Sequence, residues 1–194
     1  MPRLAGVRER RHQPFYDTLI RTTGDPTPTV QTSTRLFGNA NVGNLALTNL
    51  QVAGQLASDQ TYVALALRAF LYFNGINRRA LYLGVAAQLY FTLTLGDKPQ
   101  FVMPCWYFPA GGGIWGFDAT ATTGSIFNNG VPGQSEIMKL ARPIIFPVRQ
   151  NFSVTAEFFT IGTNNVLTTI NTGATDDQKV IMFVIDGLQT RDVQ

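Results

Sequence analysis

Between Leu81 and Leu95 every odd-numbered position is apolar: Leu81, Leu83, Val85, Ala87, Leu89, Phe91, Leu93 and Leu95. Tyr82, Gly84, Gln88, Tyr90, Thr92 and Thr94 alternate with them. A period of two is the pleat of a strand with one buried face, whereas an amphipathic helix repeats every 3.6 residues. A single strand cannot enclose its own apolar face, so this run demands partners. The alternation returns in Phe152–Phe159, where Phe152, Val154, Ala156 and Phe158 oppose Ser153, Thr155 and Glu157, and in Lys179–Leu188, which is apolar on both faces from Val180 to Ile185. Tyr62–Phe73 is also apolar on both sides, with Arg68 its only charge, and reads as a further strand. Asn74-Gly75 follows it directly, and Asn-Gly favours the φ > 0 positions of a tight turn, so the runs on either side of it are expected to pair as a hairpin. Shorter candidates are Gln100–Cys105, Ile114–Phe117, Ile137–Leu140 and Arg142–Val148, separated by the turn chemistry of Gly111-Gly112-Gly113, Asn128-Asn129-Gly130 and Thr172–Gln178. About eight strands without a convincing helix predict an all-β antiparallel sandwich, either a single jelly roll or immunoglobulin-like.

A chain of 194 residues needs only one such domain. Residues 1–34 do not share the patterning. They hold Arg3, Arg8, Arg10, Arg11 and His12, then Asp25-Pro26-Thr27-Pro28, which bars helix. The expectation is an extended basic arm and connector over 1–34 and a sandwich over 35–194. Most of the net charge of +3 belongs to that arm, and the rest of the chain is nearly balanced. Arg3, Arg8, Arg10 and Arg11 have three readings: phosphate contacts with nucleic acid, docking on a neighbouring subunit, or solvation. Four arginines reach few phosphates, so counterion release would be modest, and docking or solvation is favoured.

Catalytic chemistry needs convergent titratable groups, and few are present. His12 is the only histidine and falls in the arm; Cys105 is the only cysteine and sits in the aromatic run Cys105-Trp106-Tyr107-Phe108. This excludes an intrachain disulfide and a cysteine zinc cluster, and argues against a nucleophile–histidine arrangement. Asp97, Asp118, Glu136, Glu157, Asp176, Asp177 and Asp186 follow no calcium-loop spacing. Gly111, Gly113 and Gly116 spell G-x-G-x-x-G but lack the strand before and helix after that a dinucleotide site requires. No catalytic, metal or cofactor residue is therefore assigned. Trp106, Tyr107, Trp115 and Phe117 flank the glycines and form either a sugar-stacking platform or a packed interface, the second being the commoner fate of large aromatics. The most apolar stretch, Ala80 to Leu95, carries Gln88 and is short for a membrane span, and the basic, polar first residues predict no secretory leader. Only 14% of residues are charged, against about 25% in an average domain, which leaves a neutral surface suited to burial against partners.

Arg35-Leu36-Phe37 leading into Asn41–Tyr62, the paired long strands, Arg142-Pro143-Ile144-Ile145-Phe146-Pro147 before Phe152–Phe158, and the closing Lys179–Gln194 together resemble virion structural proteins of bacterial viruses, in particular capsid-associated or decoration subunits of single jelly-roll type. The resemblance spans Arg35 to Gln194. It implies a non-enzymatic, homo-oligomeric subunit located in the virion after assembly in the host cytoplasm, partnered by its own copies and other virion proteins. It implies no cofactor and no membrane. A carbohydrate-binding sandwich is the alternative that the aromatic cluster leaves open.

Overall fold

The computed structural model describes residues 8–21, 32–38, 41–57, 60–73, 85–108, 115–116, 127–128, 138–159 and 179–192. Alternating sequence becomes antiparallel sheet throughout. The strands are β1 (Arg8–His12), β2 (Phe15–Arg21), β3 (Thr32–Leu36), β4 (Gln60–Phe73), β5 (Leu89–Leu95), β6 (Lys98–Pro104), β7 (Trp115–Gly116), β8 (Phe127–Asn128), β9 (Met138–Phe146), β10 (Phe152–Phe158) and β11 (Lys179–Asp192). One sheet runs β1-β11-β4-β9, with β2 also paired to β11; the second runs β3-β10-β5-β6; β7 and β8 pair only with each other.

The inward side chains of the two main sheets meet in a shared core. Ile181, Phe183 and Ile185 of β11 and Leu67, Ala69 and Leu71 of β4 face Leu89, Phe91 and Leu93 of β5 and Val154, Ala156 and Phe158 of β10, all buried. Phe183 is the hub, with ring centroids 4.7 Å from Phe91 and 5.3 Å from Phe108. Nearer one end, Tyr62 packs on Phe15 at 4.7 Å, and Phe146 on Phe152 at 5.1 Å. Tilted and edge-on contacts of this kind suit the ring quadrupole.

Several sequence expectations change. Residues 8–21, expected in an arm, are sheet. Their pairing with β11 keeps one register across Gln13-Pro14, since His12 lies opposite Leu188 and Phe15 opposite Ile185. Gln13 N still donates to Gly187 O at 3.1 Å, and only the missing proline N–H interrupts the ladder. Strand β11 is apolar on both faces and needs a neighbour on each edge, and this segment supplies one of them. Strand β3 likewise begins inside the expected connector and crosses its boundary into the expected sandwich. The strand expected from Leu81 begins only at Leu89; residues 85–88 are helical, which buries Val85 and Ala86 together with Leu89. Strands β4 and β5 do not pair: they lie in different sheets, and Asn74-Gly75 falls outside the described residues. The tight hairpin instead joins β5 to β6 at Gly96-Asp97, where Gly96 has φ +61° and Leu95 lies opposite Lys98. Glycine at the first central position is what such a two-residue loop favours. The two candidates at 137–140 and 142–148 meet in one strand, β9, which ends at Phe146 and whose register against β4 shifts between Ala64 and Ala66; Ile137 falls outside the described residues.

The free edge of β2 is covered by the segment 41–57. Asn49 Nδ2 donates to Pro14 O (2.7 Å), Tyr16 N donates to Asn49 Oδ1 (3.1 Å), Thr48 Oγ1 donates to Tyr16 O (2.8 Å) and Asn41 Nδ2 donates to Thr18 O (2.6 Å). The buried Asp17 carboxylate accepts from Phe37 N and from Asn41 Nδ2, tying the residue after β3 and the start of that cover to β2. An edge satisfied in this way offers no template to another strand.

Gly187 marks the tightest backbone approach. Between Asp186 and Gly187 the register against β4 slips by one residue, and a Cβ on Gly187 would lie 2.1 Å from Val63 O. Backbone cannot yield as a flexible side chain can. Gly187→Ala is therefore expected to lower the unfolding free energy by more than about 3 kcal/mol, comparable to a large core truncation, in urea titrations followed by circular dichroism.

Candidate functional site

The outward positions of β2, β11 and β4 line up by register into cross-strand rows. Ile20, Val180 and Tyr72 form one; Thr18, Met182 and Phe70 the next; Tyr16, Val184 and Arg68 the third. The first two rows make a largely apolar face in which Tyr72 is 58% and Ile20 39% exposed, Met182 and Phe70 are half-buried and Thr18 is buried. Leu65, at the register slip in β4, adds another exposed apolar side chain.

The face then turns ionic. Asp186, one position beyond Val184 on the same side, accepts from Arg68 Nη2 through Oδ2 and lies 2.5 Å from His12 Nε2 through Oδ1. Its side chain is 10% exposed, against 21% for Arg68 and 65% for His12. Two carboxylate oxygens and two cation-capable partners satisfy the geometry of a partly buried ion pair. The Asp186 charge also reaches the inner face: burial first, and Asp186 second, push the Tyr62 hydroxyl well above its ordinary range, and that hydroxyl donates to Ile185 O at 2.8 Å.

A His–Asp pair invites comparison with a catalytic dyad, but the third member is missing. Among the described residues Asp186 is the only hydrogen-bond partner of His12. Cys105 is not a substitute, because burial pushes its thiol up to about 12. No group of three or more His, Cys, Asp or Glu side chains clusters as metal ligands among the described residues. The arrangement can bind and orient charge, and no nucleophile hydrogen-bonds to His12 among the described residues.

Of the arginines read as an arm, Arg8 and Arg10 are exposed on one side of β1, the side of His12, whereas Arg11 points to the other side with Glu9. Arg3 falls outside the described residues. Of the four aromatics, Tyr107 is 61% exposed in a 3-10 turn at Cys105–Tyr107; Trp115 pairs through its backbone with Asn128; the side chains of Trp106 and Trp115, and all of Phe117, fall outside the described residues. Gly111-Gly112-Gly113, Asp118, Glu136, Asp176 and Asp177 also fall outside. No described contact brings these aromatics together. Sequence reading missed Gln189, which is 2% exposed and occupies an inward position of β11 in series with Ile181, Phe183 and Ile185. A glutamine in an otherwise apolar inward series was the available signal.

No protein-family model and no curated protein matches the chain. Functional reading therefore rests on the geometry itself.

Two outcomes are expected at these residues. Asp186→Asn removes the charge that holds Arg68 and His12, and should cost about 2 kcal/mol in chemical denaturation, less than for an enclosed pair because both partners remain in reach of water. Cys105, whose folded value lies above its ordinary 9.0, contributes stability that is complete below pH 9 and is lost as the pH rises from there toward 12. The native protein should accordingly resist thiol labelling at pH 8, and denaturant should release the reaction.

Proposed function

We propose that the chain is a non-enzymatic structural subunit of a virus particle, a capsid or capsid-associated (cement or decoration) subunit that assembles through contacts with its own copies and with other virion proteins. The observation that carries this reading is the outer face of β2, β11 and β4, where apolar rows headed by Ile20, Phe70 and Tyr72 stand beside a satisfied ionic cluster. Interface cores favour aromatic residues, methionine and arginine, with charged groups confined and paired. The near-neutral composition favours copies of the same chain as occupant, since such subunits do not repel one another.

Strand order supports the same reading. Taking β1 and β2 together as the first strand, followed by β3, β4, β5, β6, β9, β10 and β11, the sheets run 1-8-3-6 and 2-7-4-5. Two Greek keys folded in this way make a jelly roll, the architecture shared by viral capsid subunits and lectins. Fold alone does not choose between those roles; the outer face supports assembly. On this reading Arg8 and Arg10 meet a neighbouring subunit as part of a sheet, and nucleic acid is a lesser partner.

Light-scattering mass at micromolar concentration provides the test. The wild-type protein is expected to exceed one chain's mass, and Tyr72→Glu with Met182→Glu to return it to one chain with unchanged circular dichroism. A wild-type monomer would overturn the assembly reading, and saturable glycan binding by that monomer would replace it with a carbohydrate-binding one.

A further inference from the structure

At the end of the sandwich where β1, β4 and β11 meet the segment 41–57, a cavity of about 120 Å³ opens. Its walls include Arg11, Gln60 and Gln189, with Phe15, Leu50 and Leu56 as apolar surfaces. No carboxylate lines it among the described residues.

Hydrogen-bond polarity there follows from a single residue. Arginine only donates, so the Gln189 atom that receives Arg11 Nε at 2.8 Å must be its carbonyl oxygen. The Gln189 amide nitrogen must then donate, and it does, to Gln60 Oε1 at 2.6 Å. The chain ends in donors at both extremities: the Gln60 amide nitrogen and the terminal nitrogens of Arg11 meet no acceptor among the described residues. Nor is the charge of Arg11 balanced by its neighbour. Glu9, on the same side of β1, is engaged by Arg191 through Nε and Nη2, both at 2.8 Å. A guanidinium with no carboxylate partner among the described residues, converging amide donors and an apolar surface define a site suited to an anion.

We propose that this cavity binds a carboxylate on a short apolar stem, supplied either by a free organic acid or by an acidic side chain of a neighbouring copy. The planar fork of arginine matches two carboxylate oxygens, the Gln60 amide adds a third donor, and Phe15, Leu50 and Leu56 receive the methylenes. A volume of about 120 Å³ admits a group of propionate size. A single cation suits a monoanion better than a phosphate dianion.

Propionate and its neutral isostere propionamide, titrated by calorimetry and amide NMR into the full chain, test the site. Propionate should bind in about the millimolar range, and propionamide about tenfold more weakly or worse. Arg11→Gln should lose about tenfold. Gln60→Glu keeps the acceptor for Gln189 but places a negative charge in the cavity, so it should abolish propionate binding while circular dichroism stays unchanged; this variant keeps the test decisive if Arg11→Gln unfolds. Equal binding of the two ligands, undiminished binding by Gln60→Glu, or no saturable binding by the wild type overturns the proposal. Light-scattering mass separates the two sources: propionate lowers it if the native carboxylate belongs to a neighbouring copy, and leaves it unchanged if the ligand is a free acid.

Discussion

Everything in the first sheet depends on β11 being paired on both edges. Its residues Lys179–Asp192 run against β4 on one side and against β1 and β2 on the other, and its inward side chains carry the Phe183 hub that joins the sheets. A strand apolar on both faces is stable only at the centre of a sheet, and the central position was reached by enlisting the start of the chain. The last strand in sequence thus pairs with the first and with the middle. Such non-local closure cannot occur until nearly the whole chain is available, which places folding of this domain among the slower topologies.

Legibility in the sequence followed hydrophobic contrast. Strands β4, β5, β10 and β11 carry long alternating or doubly apolar runs and could be read directly. Strands β1 and β3 could not: Arg8–His12 and Thr32–Leu36 hold almost no apolar residues, and they become sheet because neighbours with unpaired edges recruit them. Local turn chemistry misled where it was strongest. Asn74-Gly75 looked like the hairpin, whereas Gly96-Asp97 makes it, because the sheet to which a strand belongs is decided by which face it buries. The helical turn at 85–88 shows the same limit, since Val85, Ala86 and Leu89 satisfy a helix spacing as well as they satisfy part of a strand.

The candidate site was less legible than the fold for a related reason. Charges on β1 read as a basic run, but the pleat divides them, with Arg8, Arg10 and His12 on one side and Glu9 and Arg11 on the other. A run that would be a uniform cationic arm in solution becomes two different surfaces once paired. Asp186 was similarly ambiguous beside Gly187. Its role emerges only when Arg68 and His12 arrive from elements 118 and 174 residues away in sequence.

Low charge content makes each ionic group in the domain consequential. Asp17 is spent on the cover over the edge of β2 and Asp186 on the outer face; Glu9 is matched by Arg191. Each of these carboxylates is engaged by a partner within the chain, and none of them is in ion-pair contact with Arg11. Among the described residues the Arg11 guanidinium has only amide company, and the Gln189 and Gln60 amides are oriented by it. A cation in a partly enclosed site carries a desolvation cost that no carboxylate among the described residues offsets. That cost is the physical reason to expect the anion to come from outside the chain, and the direction of the Arg11–Gln189–Gln60 hydrogen bonds states which end of the anion the cavity would hold.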